Sequence, residues 1–169
     1  MKSFLKSAVF SLCILGFFVF VCMYVTGLSG GGGGGGGATG INPEAGEAIY
    51  WGDGQCHTCH SIGTSGSATR GPNQEGLAAR AEERAKEAGL SSGLEYLVES
   101  IVDPSAFVVE GYDNIMPKVY DAPIMLGREQ IQAVLTYLQT LGGESDIAAV
   151  ATFAEKIPEA SGDAVAPWV

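Results

Sequence analysis

Basic residues are scarce in this chain and never cluster: nine Lys and Arg stand against nineteen Asp and Glu in 169 residues, a formal charge of −10. Nucleic-acid binding draws on phosphate neutralisation by Lys and Arg, so that partner class is excluded. Cysteine is sparse too, and four thiols do not make a disulfide scaffold. No segment sustains polar–apolar alternation between hairpin turns, and no internal repeat is visible. Strand-built and repeat architectures therefore drop out, and the length allows one domain of ordinary size.

The chain does have one long apolar run. Residues 8–25 read AVFSLCILGFFVFVCMYV, eighteen residues without a charge, preceded by Lys2 and Lys6. With 26–28 added, a helix of this length crosses the roughly 30 Å hydrocarbon core of a bilayer. The run is longer than a signal-peptide core and no small-residue cleavage site follows it. Residues 1–28 are therefore expected to be a retained transmembrane anchor rather than a cleaved signal. The two lysines ahead of the span place the N-terminus in the cytoplasm and send the rest of the chain to the extracytoplasmic, periplasmic side of the cell membrane. Cys13 and Cys22 fall inside the span, where a thiol behaves as a small inert hydrophobe.

A tether follows. Ser29 precedes eight consecutive glycines and then Ala-Thr-Gly, so 29–40 reads as a flexible linker. About fifteen flexible residues give a root-mean-square reach near ~20 Å. All nineteen acidic and seven of the nine basic side chains lie beyond it, a net −12. That charge suits redox partners with basic docking patches.

Four helices are expected after the tether. The first, 43–55, opens on Pro43-Glu44, where proline loses no needed N–H and the carboxylate faces the helix dipole. The second, 77–88, ends at Gly89 and has a small apolar side, which places it on the surface. The third, 93–102, carries Leu94, Leu97, Val98, Ile101 and Val102 at helical spacing, with Ser92 and Glu95 in capping-box register and Pro104 as its stop. The fourth, 128–141, aligns Ile131, Val134, Leu135, Leu138 and Leu141 ahead of Gly142-Gly143. The fold class is all-α. The folded unit spans 41–142, a small core that a large apolar cofactor would help to fill. The Ala-rich, acidic remainder, 143–169, reads as loosely ordered or ordered only against a partner.

Chemistry concentrates in Cys56-His57-Thr58-Cys59-His60, the C-x-x-C-H signature of covalent c-type haem attachment. Cysteines three apart share one side of a helical turn, so both sulfurs reach the vinyl groups of one porphyrin edge while His60 meets the iron from one face. A structural zinc site needs four ligands placed tetrahedrally, and five consecutive residues cannot easily surround an ion. A thioredoxin-like dithiol expects βαβ units, and none are present. His57 reads as a non-ligand. The iron's other face needs either a ligand or an open site, and since the chain holds no third histidine, the candidate ligands there are methionines. Met116, in a Gly- and Asn-containing loop and fixed by Pro117, suits the role better than Met125, whose apolar flanks read as packing.

These residues resemble the class I cytochromes c. Gly46 and Tyr50 precede the cysteines as the family's glycine and aromatic do, although Tyr50 sits a couple of residues farther out than in the shortest members. Gly71-Pro72-Asn73 is similar to the family's turn, which implies that the Pro72 carbonyl accepts from the Nδ1–H of His60 and fixes its ring. The stretch 95–117 resembles the cytochrome c domains fused to subunit II of caa3-type oxidases, and membrane-anchored monohaem subunits of respiratory complexes. The resemblance implies Met116 as distal ligand, and Tyr137-Leu138 as the pair that packs against the first helix near Gly46. The tether, the charged helix around 82–87 and the acidic tail depart from the pattern.

The resemblance and the motif together predict one covalent haem c with both axial positions filled, hence an electron carrier and not an enzyme. Its partners are expected to be the membrane and redox proteins such as a terminal oxidase, a quinol-oxidising complex or a reaction centre, in a respiratory or photosynthetic chain. The alternative is a fixed haem-relay subunit of a larger membrane complex.

Overall fold

The computed structural model describes residues 11–21 and 40–161. Residues 11–21 are helical (α1), with every side chain exposed. They belong to a compact unit, Met1–Gly35, distinct from a second unit, Gly36–Val169. Among the described residues no helix is long and apolar enough to cross a membrane. The remainder of the anchor expected over 1–28, and the tether expected over 29–40 apart from Gly40, lie outside the described residues.

In the second unit the described residues form helices joined by loops, with one isolated antiparallel bridge between Ile62 and Ser65. Helix α2 spans Pro43–Trp51. Asn42 Oδ1 accepts from Ala45 N at 2.8 Å, Pro43 stands in the first turn and Glu44 faces the dipole. The helix stops four residues short of the expected end. Gly52 caps it, Gly54 N donates to the Ile49 carbonyl at 2.8 Å, and Gln55 takes a left-handed conformation (φ 53°). This break redirects the chain into the cysteine motif.

Helix α5, Arg128–Thr140, is the centre of the unit: all eight residues from 131 to 138 are buried, the pattern of a helix enclosed on every side. It crosses α2 where Gly46 lies against it. A Cβ on Gly46 would stand 2.0 Å from the Ala133 carbonyl oxygen and 2.7 Å from Tyr137 Cβ, so only glycine permits this approach. The expected packing of Tyr137 near Gly46 is thus observed, and the Tyr137 ring meets Tyr50 edge-on at 5.6 Å.

Helices α3 (Leu77–Ala88) and α4 (Gly93–Val102) pack together. As expected, α3 lies at the surface with a small apolar side: Leu77, Ala81 and Ala85 are buried, while the other positions are exposed or half-buried. Small residues on that face let α4 approach: a Cβ on Gly93 would come within 2.9 Å of the Glu82 backbone nitrogen, and Gly93 N donates to Glu82 Oε1 at 2.9 Å. Ser92 Oγ caps α4 by accepting from Glu95 N at 3.1 Å. The Glu95 carboxylate accepts instead from the Ser91 backbone at 3.0 Å and from the Ser91 hydroxyl, so only half of the expected capping box forms.

The tail is also corrected. Residues 143–161 do not hang loose but return to the domain through α6, Ile147–Thr152, and a 3-10 turn, Ala154–Lys156. Val150 and Ile157 are fully buried. Arg128 Nε donates to the Ile157 carbonyl at 2.8 Å and Arg128 pairs with Glu159 at 2.9 Å. Lys156 pairs with Glu95 at 2.8 Å, and Ser161 N donates to the Tyr120 carbonyl at 2.9 Å. Two apolar anchors and locally paired charges outweigh the acidic composition that suggested disorder. Residues 162–169 lie outside the described residues.

Candidate functional site

The cysteine motif is a single helical turn. Cys56–Thr58 form a 3-10 helix; Cys59 N and His60 N both donate to the Cys56 carbonyl, at 3.1 and 3.0 Å. This winds Cys56, Cys59 and His60 round one short axis. Thr58 Oγ1 donates to the Gln55 carbonyl at 2.7 Å and closes the turn. Cys56 Sγ contacts the Gly54 carbonyl at 3.6 Å, and burial pushes its thiol up to about 11. Neither sulfur is in a disulfide.

His57 and His60 diverge. The His57 ring rests against Trp51 with centroids 5.7 Å apart, and its Nδ1 lies 3.4 Å from the Tyr50 carbonyl. His60 lines a cleft instead. Its Nδ1 donates to the Pro72 carbonyl at 2.8 Å, as the Gly71-Pro72-Asn73 turn implied. Gly71 is the floor of the ring's cradle: a Cβ there would stand 2.4 Å from Cε1 and 2.7 Å from Nδ1. Asn73 pins the turn, its Oδ1 accepting from Gly63 N and Glu75 N at 2.9 Å each and its Nδ2 donating to the Gly63 carbonyl at 2.8 Å. Burial lowers the pKa of His60 against a smaller raising effect of the Pro72 bond, which favours the neutral imidazole a metal requires.

The cleft is open at its mouth and, with the solvent-filled space there included, spans about 830 Å³. Cys59, His60, Pro72 and Met116 line it, with Leu97 and Ile101 of α4 among its apolar walls. An inner cavity of about 440 Å³ adjoins it and shares His60, Gln74, Ile101, Met116 and Leu138. Tyr50, Cys56, Val119, Leu126, Ile131 and Val134 complete the inner wall. All five residues proposed from sequence, Cys56, Cys59, His60, Pro72 and Met116, therefore converge on one apolar space. Met125 does not. It stands in a turn at φ 57°, 37% exposed, while the neighbouring Leu126 takes the buried position.

Two thiols, an imidazole and a thioether round an apolar chamber are the donor set and the wall chemistry of a covalently held haem. Two buried polar atoms without a protein partner, Tyr50 Oη and Gln74 Oε1, belong to residues of the inner wall.

Comparison with protein families gives one match, to the cytochrome c family over residues 43–142. The chain belongs to the cytochrome c family. The cytochrome's haem c is covalently bound, and Cys56 and Cys59 occupy the two cysteine positions of its C-x-x-C-H motif. The match ends at the glycine pair after α5, so the docked tail of 143–161 is an addition outside the family's shared region. No curated protein matches the chain.

Some residues of this cytochrome's site were not singled out in the sequence. Gln74 lines both cavities and its Nε2 lies 2.8 Å from His60 Nδ1; a polar residue one position beyond the Gly-Pro-Asn turn was the available signal. Leu97 and Ile101 were read as core, and their spacing did mark an apolar face, but that face lines the cleft.

Proposed function

We propose that this cytochrome is a membrane-tethered monohaem electron carrier on the extracytoplasmic side, passing single electrons between redox proteins of a respiratory or photosynthetic chain. One observation carries the reading: His60 and Met116, the two candidate axial donors, line the same cleft, and Met125 lines neither cavity. Cys56 and Cys59 would hold the ring, His60 through Nε2 and Met116 through sulfur would ligate the iron, and Pro72 would keep the imidazole oriented. Haem in this setting supplies a one-electron Fe(III)/Fe(II) couple.

The chain's own contribution is to exclude other chemistry. With His60 and Met116 both as donors, the chain would leave no iron position open to a substrate. Leu97, Ile101, Val119, Leu126, Ile131 and Val134 keep water from the ring. Met in place of a second His raises the reduction potential, which suits a carrier at the high-potential end of a chain. Anchoring rests on the uncharged run 8–25, and docking on basic partner patches rests on the net −12 beyond the tether. A shuttle is favoured over a fixed relay subunit by the glycine tether, since tethering at one membrane turns encounter into an intramolecular event. The tail packs on its own domain, so it lends the fixed-subunit alternative no support.

Substitution of the two methionines tests the assignment. Met116→Ala is expected to retain covalent haem, lose the low-spin spectrum with its long-wavelength sulfur-to-iron band, and fall in potential. Met125→Ala leaves both unchanged. The reverse pattern would overturn the ligand set.

A further inference from the structure

His60 Nδ1 has two neighbours at hydrogen-bond distance, and they make conflicting demands. The Pro72 carbonyl, 2.8 Å away, can only accept. The Gln74 side-chain amide, also at 2.8 Å, presents its NH₂ group, which can only donate. One ring nitrogen cannot serve both. An imidazole that binds iron through Nε2 must carry its proton on Nδ1, so the conflict resolves in favour of the Pro72 bond. Side-chain amide oxygen and nitrogen are exchanged by a rotation about the last torsion and are assigned from the surrounding bonds. Rotated, Gln74 offers Oε1 to the same Nδ1–H. The position that Oε1 now occupies, buried and without a partner, is then taken by the NH₂ group, a donor on the cavity wall.

We propose that Gln74 is a positioning residue for the haem ligand: its Oε1 is a second acceptor on the His60 Nδ1–H, shared with the Pro72 carbonyl. The inference rests on His60 being an axial ligand. Two acceptors on one N–H draw its proton further from the ring and make the other nitrogen a stronger base toward iron. A more basic ligand stabilises the more highly charged ferric state, so Gln74 lowers the reduction potential below the value Pro72 alone would set.

The test uses the full-length holoprotein with Gln74→Leu and Gln74→Glu. Two quantities are measured: the midpoint potential, and the His60 Nδ1–H proton resonance in the reduced, diamagnetic state. Gln74→Leu is expected to move that resonance upfield and shift the oxidised-to-reduced equilibrium several-fold toward reduced; a full tenfold corresponds to about 59 mV for one electron. Gln74→Glu, with a stronger acceptor, is expected to move both the opposite way. A potential change without movement of the Nδ1–H resonance would reflect altered packing or polarity alone and would overturn the proposal. So would movement of the resonance in the same direction in both variants. If the wild-type protein showed no His60 resonance shifted by the porphyrin ring, the axial assignment itself would fall, and this inference with it.

Discussion

Replacing Gly71 by alanine tests how tightly the loop holds the imidazole. The added carbon would stand 2.4 Å from His60 Cε1, 2.7 Å from Nδ1 and 2.9 Å from Nε2. Non-bonded carbon contacts are comfortable only from about 3.5 Å, so ring and loop have to separate by roughly 1 Å. Withdrawal of the ring by that amount takes the Nδ1–H bond to Pro72, now 2.8 Å, beyond hydrogen-bond range. Withdrawal of the loop strains two backbone bonds, Gly71 N to the Cys59 carbonyl at 2.8 Å and Gln74 N to the Ser61 carbonyl at 2.7 Å. One lost hydrogen bond is worth about 1 kcal/mol and overpacking about 1–3 kcal/mol. The expected destabilisation is therefore about 2–4 kcal/mol, read by denaturant unfolding of the holoprotein, together with an altered haem spectrum in the folded fraction. Gly89→Ala is the control. Gly89, unlike Gly71, has a positive φ, 75°, and no atom lies within 4 Å of its Cβ position, so that variant loses about 1–2 kcal/mol of backbone energy and keeps the wild-type spectrum. Stability within about 0.5 kcal/mol of wild type and an unchanged spectrum for Gly71→Ala would refute the steric argument.

Two further substitutions probe the frame. Gly46→Ala gains up to about 1 kcal/mol of helix propensity, yet its Cβ meets a backbone oxygen at 2.0 Å and no rotamer relieves the clash. The expected net loss is about 1–3 kcal/mol, measured as a lowered melting temperature, and a stabilised protein would mean that α2 and α5 do not cross there. Ile157→Ala removes a fully buried side chain from the docked tail; the expected loss is about 2–5 kcal/mol with faster amide exchange through 147–157, whereas an undocked tail would leave unfolding unchanged.

The helices were legible because their signals are local. Pro43 and Glu44 open α2, Gly89 closes α3 and Ser92 caps α4, each through contacts within a few residues. The site was legible for a related reason: Cys56, Cys59 and His60 lie on one turn, and a C-x-x-C-H string fixes their chemistry without knowledge of the fold. The early end of α2 was less visible. It depends on Gln55 taking a left-handed conformation, a cost that only the following cysteine turn justifies. The buried face of α3 was muted by its composition, because alanines at 81 and 85 carry little apolar weight yet are buried.

What remained hidden shares one feature, that its meaning depends on a contact across the fold. Ile157 looks unremarkable in an acidic, proline-containing tail until Arg128, twenty-nine residues earlier, is seen to donate to its carbonyl. Composition argued for disorder by averaging over the segment, whereas docking turns on a few residues, above all the buried Val150 and Ile157. Gln74 is the same case within the site. The Gly-Pro-Asn turn indicated that the chain passes under His60, and Pro72 followed from it, but the turn continues for two more residues and returns a side chain to the same nitrogen. A polar residue there would be costly on an apolar wall if it had only packing to do. Its presence is explained by the proton that His60 must carry opposite the iron, and that requirement arises only once the ring, the loop and the cleft are assembled.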